Sequence, residues 1–244
     1  MSAGDATGQA AAGQAAAGQA GPGQAGPGPA VIVMARAPRP GQVRRALEPL
    51  LGPDGCAALQ CELITVAVKW AHAIAPHAVY VAYDPPDAAP EIRALAPGAA
   101  ALFPQNGDGI GRRLADATAR VFAHHTGPLI VVWPDLPRLR PAHAAAALGD
   151  LRAGCQVSLG PVIDGGYYMI AVDRPRPALF TLPEQTWRAP DVMTMALPAA
   201  CEAGLEVGVL RTERGLHRPT DLRAARADPT LSPELARILG ARAG

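Results

Sequence analysis

The sequence predicts an α/β fold, a mostly parallel sheet with helices on both faces. Short uninterrupted apolar runs at residues 30–34 and 129–133 suit strands buried on both faces. Stretches with apolar residues at helical spacing alternate with them, as crossover connections between parallel strands require. Two strand-like runs also deliver a carboxylate at or beside an end: Asp135 follows the run at 129–133, and Asp164 precedes a second run at 167–172. Open α/β sheets build their ligand sites at such ends.

Taken in order, residues 1–29 form a low-complexity tail in which Gly-Gln-Ala recurs and drifts into Gly-Pro repeats. It has no basic segment followed by an apolar one, so it does not read as a signal peptide. With almost no large apolar side chains it is expected to be disordered. Glycine does not recur at every third position, which excludes a collagen-like reading. The folded domain is expected over residues 30–244, opening with Ala-Val-Ile-Val-Met as the first buried strand.

The next stretch, Ala35-Arg-Ala-Pro-Arg-Pro-Gly-Gln-Val-Arg-Arg45, holds four arginines around Gly41. A cationic, flexible loop after a first strand suits a phosphate, though an exposed basic loop has the same composition. Residues 47–74 read as helical, broken near Gly52-Pro53-Asp54-Gly55, with Leu59, Leu63, Val66 and Trp70 on a core face. Strands are expected at 77–83 and 100–103, with a short helix near 91–95 between them. Gln105 then leads into the glycine-rich turn Gly107-Asp-Gly-Ile-Gly-Arg-Arg113 and a helix through His124. The turn lacks the Gly-Lys-Ser/Thr of a P-loop, and Gly107, Gly109 and Gly111 miss the dinucleotide spacing. A helix at 141–151, a strand at 156–159, the strand after Gly165 and Gly166, a helix at 188–202 interrupted by Pro198, and a strand at 206–210 follow. The chain ends in a turn at Arg218-Pro219 and a last helix near Leu235.

Composition narrows the function. Charged residues are 18% of 244 and the formal net charge is +1, which argues against a broad nucleic-acid surface. Hydrophobic residues are 49%, enough for a substantial core, yet no apolar run is long enough for a membrane-spanning helix. Cys56, Cys61, Cys155 and Cys201 show no CxxC pair or zinc spacing, so reduced thiols and a cytoplasmic compartment are expected.

Of the residues able to carry chemistry, Asp135 suits a divalent cation or a helix cap equally well by residue type. Asp164 stands before two glycines that allow close approach of a ligand. It could orient an acceptor hydroxyl, act as a base or complete a metal site. His217 is a lone histidine in a loop, more often a surface residue than a ligand. Tyr167, Tyr168 and Trp187 could stack on a base or sugar, with core packing as the default.

Four blocks occur in order: Met34-Ala-Arg-Ala-Pro-Arg-Pro-Gly-Gln-Val-Arg44, Gly107-Asp-Gly-Ile-Gly-Arg-Arg-Leu114, Asp135-Leu-Pro-Arg-Leu139 and Gly160-Pro-Val-Ile-Asp-Gly-Gly-Tyr-Tyr168. Together they resemble the DUF2064 family, whose members are glycosyltransferase-like and include enzymes assigned to arsenosugar biosynthesis. The resemblance implies the Rossmann-like GT-A fold of nucleotide-diphospho-sugar transferases. It also implies kinship with guanylyltransferases that activate molybdopterin or phospholactate. Carried over by motif, Ala35, Arg36, Gly41 and Arg44 would hold nucleotide phosphates, and Gln105, Gly111 and Arg113 would line the base or ribose side. Asp135 would be the metal aspartate for Mg²⁺ or Mn²⁺. Asp164 would be catalytic, with Gly165, Gly166, Tyr167 and Tyr168 facing a small-molecule acceptor.

Three departures from the family pattern stand out. Lys-Thr-Arg of the first loop is Arg44-Arg45-Ala46, and Gly-Thr or Gly-Ser before the metal aspartate is Trp133-Pro134. The late Asp-Val-Asp-Thr-Pro is Gly215-Leu-His-Arg-Pro219, so His217 replaces a metal carboxylate. Imidazole tolerates Mn²⁺ but not an all-oxygen Mg²⁺ site. The expected function is metal-dependent glycosyl transfer from a nucleotide-sugar to a small acceptor. The alternatives are a nucleotidyltransferase acting on a phosphorylated small molecule and a catalytically impaired nucleotide-binding homologue.

Overall fold

A computed structural model describes residues 27–183, 187 and 192–240. The low-complexity residues 1–26, and Arg188 and Asp191 of the helix expected at 188–202, lie outside these.

Among the described residues seven strands form one sheet: β1 Ala30–Arg36, β2 Val79–Asp84, β3 Ala101–Pro104, β4 Leu129–Val132, β5 Val157–Pro161, β6 Tyr167–Val172 and β7 Val207–Val209. Their order is β3-β2-β1-β4-β6-β5-β7. Every pairing is parallel except the two made by β6, which runs antiparallel to both β4 and β5. The α/β, mostly parallel architecture therefore holds. The β5–β6 hairpin follows from the short turn around Asp164, which leaves no room for a crossover helix.

The helices are α1 Glu48–Ile74, α2 Ala89–Leu95, α3 Ile110–Phe122, α4 Pro141–Arg152, α5 Val192–Glu202, α6 Pro219–Arg226 and α7 Pro233–Leu239. The expected break in α1 is at Gly52, whose φ of 69° leaves the helical region just before Pro53. Pro198 interrupts nothing, because α5 continues through it. Helix α3 stops at Phe122, short of His124.

Alternate residues of β1 show why both faces are covered. Val31, Val33 and Ala35 join a cluster with Ile64, Val68 and Ala71 of α1 and Ala144 of α4. Ala30, Ile32 and Met34 join Leu114 and Val121 of α3 and Ala196 of α5. A third cluster seats Leu222, Leu235 and Leu239 of the last two helices on Leu59 and Leu63 of α1. No helix among the described residues is long and apolar enough to cross a membrane.

After β1 the chain steps outward through β2 to β3, then returns to place β4 on the other side of β1. The crevice beyond the carboxyl ends of β1 and β4 is the switch point where such sheets bind ligands. Because β6 runs the other way, the β5–β6 turn opens on this same edge.

Candidate active site

Each strand ending at this edge delivers a polar side chain: Arg36 from β1, Asp84 from β2, Gln105 after β3 and Asp135 after β4. Asp164 comes from the β5–β6 turn, and His217 from the loop after β7. His217 Nδ1 lies 3.3 Å from Asp164 Oδ2, and its Nε2 lies 3.7 Å from Asp135 Oδ2. The imidazole thus sits between the two carboxylates, 33% exposed, with each aspartate 20% exposed. His217 Nε2 is itself buried and has no hydrogen-bond partner among the described residues.

Arg44 fixes the cluster from behind. It occupies the left-handed region with φ 49°, which turns its side chain inward until 8% remains exposed. Its Nε donates to Gln60 Oε1 at 2.8 Å, and Nη1 donates to the Leu216 carbonyl at 2.8 Å. Nη2 donates to the Pro134 carbonyl at 2.7 Å and to Asp135 Oδ1 at 3.1 Å. The Leu216 N–H also donates to the Asp135 carbonyl at 3.0 Å, joining the late loop to the end of β4. Arg44 therefore positions Asp135 and His217 together instead of reaching into solvent for a phosphate. Its neighbour Arg45 is exposed and lines the cavity in front of Asp135.

Three cavities meet this edge. One of about 310 Å³ is bounded by Arg36, Arg45, Trp133, Asp135 and His217. A second, of about 410 Å³, is bounded by Arg36, Asp84, Gln105, Arg113 and Trp133. Both share Met34, Arg36 and Trp133 as walls, so they form one continuous cleft. The third, about 500 Å³, lies on the other side of Asp164, between Val162, Ile163, Met193, Thr212 and Arg218.

Most of the residues singled out from the sequence converge here, but not all face the cleft. Gly41 takes φ 74° with open space around it, on the exposed loop after β1. The Ala35 side chain is buried under the sheet edge. Gln105 donates to the carbonyls of Ala35 and Ala82 at 3.3 and 2.9 Å, bracing the ends of β1 and β2. A Cβ on Gly111 would stand 2.6 Å from the Phe180 carbonyl and 2.7 Å from Trp187 Nε1, so this glycine lets α3 pack closely, and with Gly109 and Arg112 it also borders a cavity of about 690 Å³. Gly165 and Gly166 form the turn itself, with Gly165 at φ 95° and the Gly166 N–H 3.5 Å from Asp164 Oδ1. Tyr167 is 9% exposed and Tyr168 fully buried, stacked edge-on with His143 at 5.5 Å, so Tyr168 shows no surface to an acceptor.

Asp84 and Gln60 were not foreseen. Asp84 pairs with Arg36 at 3.2 Å and Arg113 at 3.4 Å, spacing both guanidiniums along the cleft wall. The signal was available, since Asp84 ends a buried apolar strand just as Asp135 follows one. Gln60 is 4% exposed in α1 and passes its Nε2 to the Arg36 carbonyl at 3.0 Å. Nothing in its sequence neighbourhood marks it.

The sheet order and the switch-point crevice define a Rossmann-like α/β fold, one shared with solved nucleotidyl- and sugar-transferase structures. The DUF2064 family model, described as uncharacterized protein conserved in bacteria, matches residues 67–184, a stretch that holds Gln105, Arg113, Asp135 and the Asp164 turn. The arginine loop after β1 and His217 lie outside the match. Among solved structures, a candidate nucleotide-diphospho-sugar transferase from Desulfovibrio desulfuricans G20 superposes with a TM-score of 0.73 at 23% identity, over 87% of this chain and 96% of that one. CMP:2-keto-3-deoxy-manno-octonic acid synthetase, solved with CTP, gives a TM-score of 0.52 at 15% identity, over 82% of this chain and 98% of that one. 4-Diphosphocytidyl-2C-methyl-D-erythritol synthase gives 0.50 at 13% identity, over 81% and 96%. No curated protein matches the sequence.

Proposed function

We propose that the protein transfers a glycosyl group from a nucleotide-sugar to a small acceptor, with a divalent cation at Asp135 and His217. The observation that supports this reading most strongly is the Asp135–His217–Asp164 cluster, which stands between the switch-point cleft and a separate cavity. A donor in the cleft and an acceptor in the cavity would meet at the cluster.

The donor set fits a cation. Arg44 holds Asp135 Oδ1, leaving Oδ2 toward His217. A proton on His217 Nδ1, shared with Asp164, leaves the buried Nε2 lone pair aimed at the same space. A carboxylate that fixes the tautomer of a ligating histidine is a common outer partner of metal sites. Among the described residues no three His, Cys, Asp or Glu side chains enclose a metal by themselves. Cations that bridge nucleotide phosphates take one or two protein ligands and complete their shell from the substrate. Imidazole in the set favours Mn²⁺ over Mg²⁺. The bound cation would neutralise charge on the leaving diphosphate.

The chain's own residues supply the rest. Arg45, whose guanidinium has no partner among the described residues, and Arg36, shared with Asp84, hold phosphate oxygens by charge-assisted hydrogen bonds. Arg113, Gln105 and Trp133 bound the part of the cleft that takes the nucleoside. Asp164 Oδ1 faces the turn beside the cavity of about 500 Å³, where it orients or accepts a proton from the acceptor hydroxyl.

Nucleotidyl transfer is the second reading, because the same cleft would hold a nucleoside triphosphate and the two synthetases above share the fold. A panel of nucleotide-sugars and nucleoside triphosphates with Mn²⁺ separates the two. Nucleoside diphosphate released from a nucleotide-sugar, even by slow hydrolysis without acceptor, is the expected result. Pyrophosphate released from a triphosphate overturns glycosyl transfer in favour of the second reading. Binding without either product marks an impaired homologue.

A further inference from the structure

We propose that the cavity beyond Asp164 takes an acceptor that carries an anionic group, carboxylate or phosphate, held by Arg218. This rests on the donor and acceptor sides assigned above and adds the chemical class of the acceptor.

The loop from β7 to α6 carries three arginines. Arg211 Nε lies 3.8 Å from Glu213, and Arg214 Nη1 lies 2.9 Å from Asp221. The guanidinium of Arg218 has no ion pair or hydrogen bond among the described residues, although its backbone N–H is fixed to Asp221 Oδ2 at 2.9 Å. Its backbone is thus anchored while its charge remains available. Arg218 is exposed and lines the cavity of about 500 Å³ that also contains Asp164 and Thr212.

The neighbouring residue His217 sets its imidazole between Asp164 and Asp135. One short stretch of chain therefore carries both the imidazole of the cluster and a guanidinium on the acceptor side. The cavity floor is apolar, from Val162, Ile163 and Met193, and Ile163 is 57% exposed. A small molecule bearing a hydroxyl for Asp164, a short carbon chain for this floor and an anion for Arg218 matches all three. A neutral polyol would leave the guanidinium without a partner. A cationic acceptor would meet Arg218 with like charge.

The test measures binding of glycerol, glycerate and glycerol 3-phosphate to the full chain by calorimetry with Mn²⁺ present. Wild type is compared with Arg218→Ala, Arg218→Lys and Arg45→Ala, and nucleotide affinity is recorded for each sample. One or both anions should bind at least about tenfold more tightly than glycerol, the scale of a charge-assisted contact. Arg218→Ala should erase that preference, Arg218→Lys should restore part of it, and Arg45→Ala should leave it intact. Whether glycerate or glycerol 3-phosphate gains more identifies the anion.

Equal binding of all three probes, or a preference that survives Arg218→Ala, overturns the inference. A preference lost in Arg45→Ala instead places the anion in the donor cleft and overturns it too. Retained nucleotide binding in those samples leaves the donor-side reading standing. Absent nucleotide binding in wild type overturns that reading, with the Arg218 comparison still decided by its own data.

Discussion

A guanidinium acts on a ligand only through N–H groups that the protein has not already engaged, and Arg44 has four hydrogen bonds in the fold. Removing it would strand the Leu216 and Pro134 carbonyls and free Asp135 to swing. Arg44→Ala should therefore cost about 3 kcal/mol in denaturant unfolding, the range for breaking a buried charged network. Arg45→Ala should leave the unfolding midpoint unchanged and weaken nucleotide binding by about tenfold. Equal loss of stability in both variants would refute the distinction. Tyr168 poses the opposite problem, a buried phenol whose oxygen has no partner among the described residues. Burial, with a smaller push from the Glu213 carboxylate, raises its pKa from 10.0 to about 12. The folded state keeps the proton longer than the unfolded chain, so this contribution is full below pH 10 and is lost as pH rises through about 12. Tyr168→Phe should change stability at pH 7 by less than about 1 kcal/mol, since no hydrogen bond is broken. It should also flatten the alkaline fall in stability between pH 10 and 12, read by urea unfolding across that window.

At the scale of elements, the start of α3 shows a residue pattern that sequence order could not resolve. The glycine-rich turn at 107–111 borders a cavity of about 690 Å³, and Gly111 is also held against Phe180 and Trp187, which lie far along the chain. Only the fold brings those partners to it. Gly111→Ala should force α3 off the Phe180 carbonyl and cost about 2 kcal/mol, the usual scale of overpacking. A thermal midpoint within a degree of wild type would show that the contact yields freely. The kink of α1 was legible because Gly52-Pro53 is local chemistry. The passage of α5 through Pro198 was not, because Val192, Ala196 and Ala200 bury one face and outweigh a helix-breaking residue.

Over the whole molecule, the doubly covered sheet was legible because buried parallel strands are written as continuous apolar runs. The convergence of Asp135 and Asp164 was legible for the same reason, since each stands at a strand end. The inward turn of Arg44 was hidden, because it depends on a left-handed backbone and on carbonyls about 90 and 172 residues away. The antiparallel course of β6 was hidden too, as its buried residues look the same in either direction. These long-range joins make a metal test a test of the fold's arrangement. Asp135 belongs to the central strands and His217 to a loop beyond the edge strand, so a cation bound by both ties distant parts of the chain. Mn²⁺ with a nucleoside diphosphate, at about a hundred times its dissociation constant, should stabilise the fold by about 2.7 kcal/mol. For a chain of this size that is roughly 5–10 °C in thermal midpoint. Asp135→Asn and His217→Ala should each fold with a near-normal midpoint and lose most of that rise. Asp164→Asn, which removes only the partner of His217 Nδ1, should lower Mn²⁺ affinity by about tenfold without abolishing it. A full rise in Asp135→Asn would mean that the cation, or the nucleotide alone, binds elsewhere, and the metal assignment would fall with it.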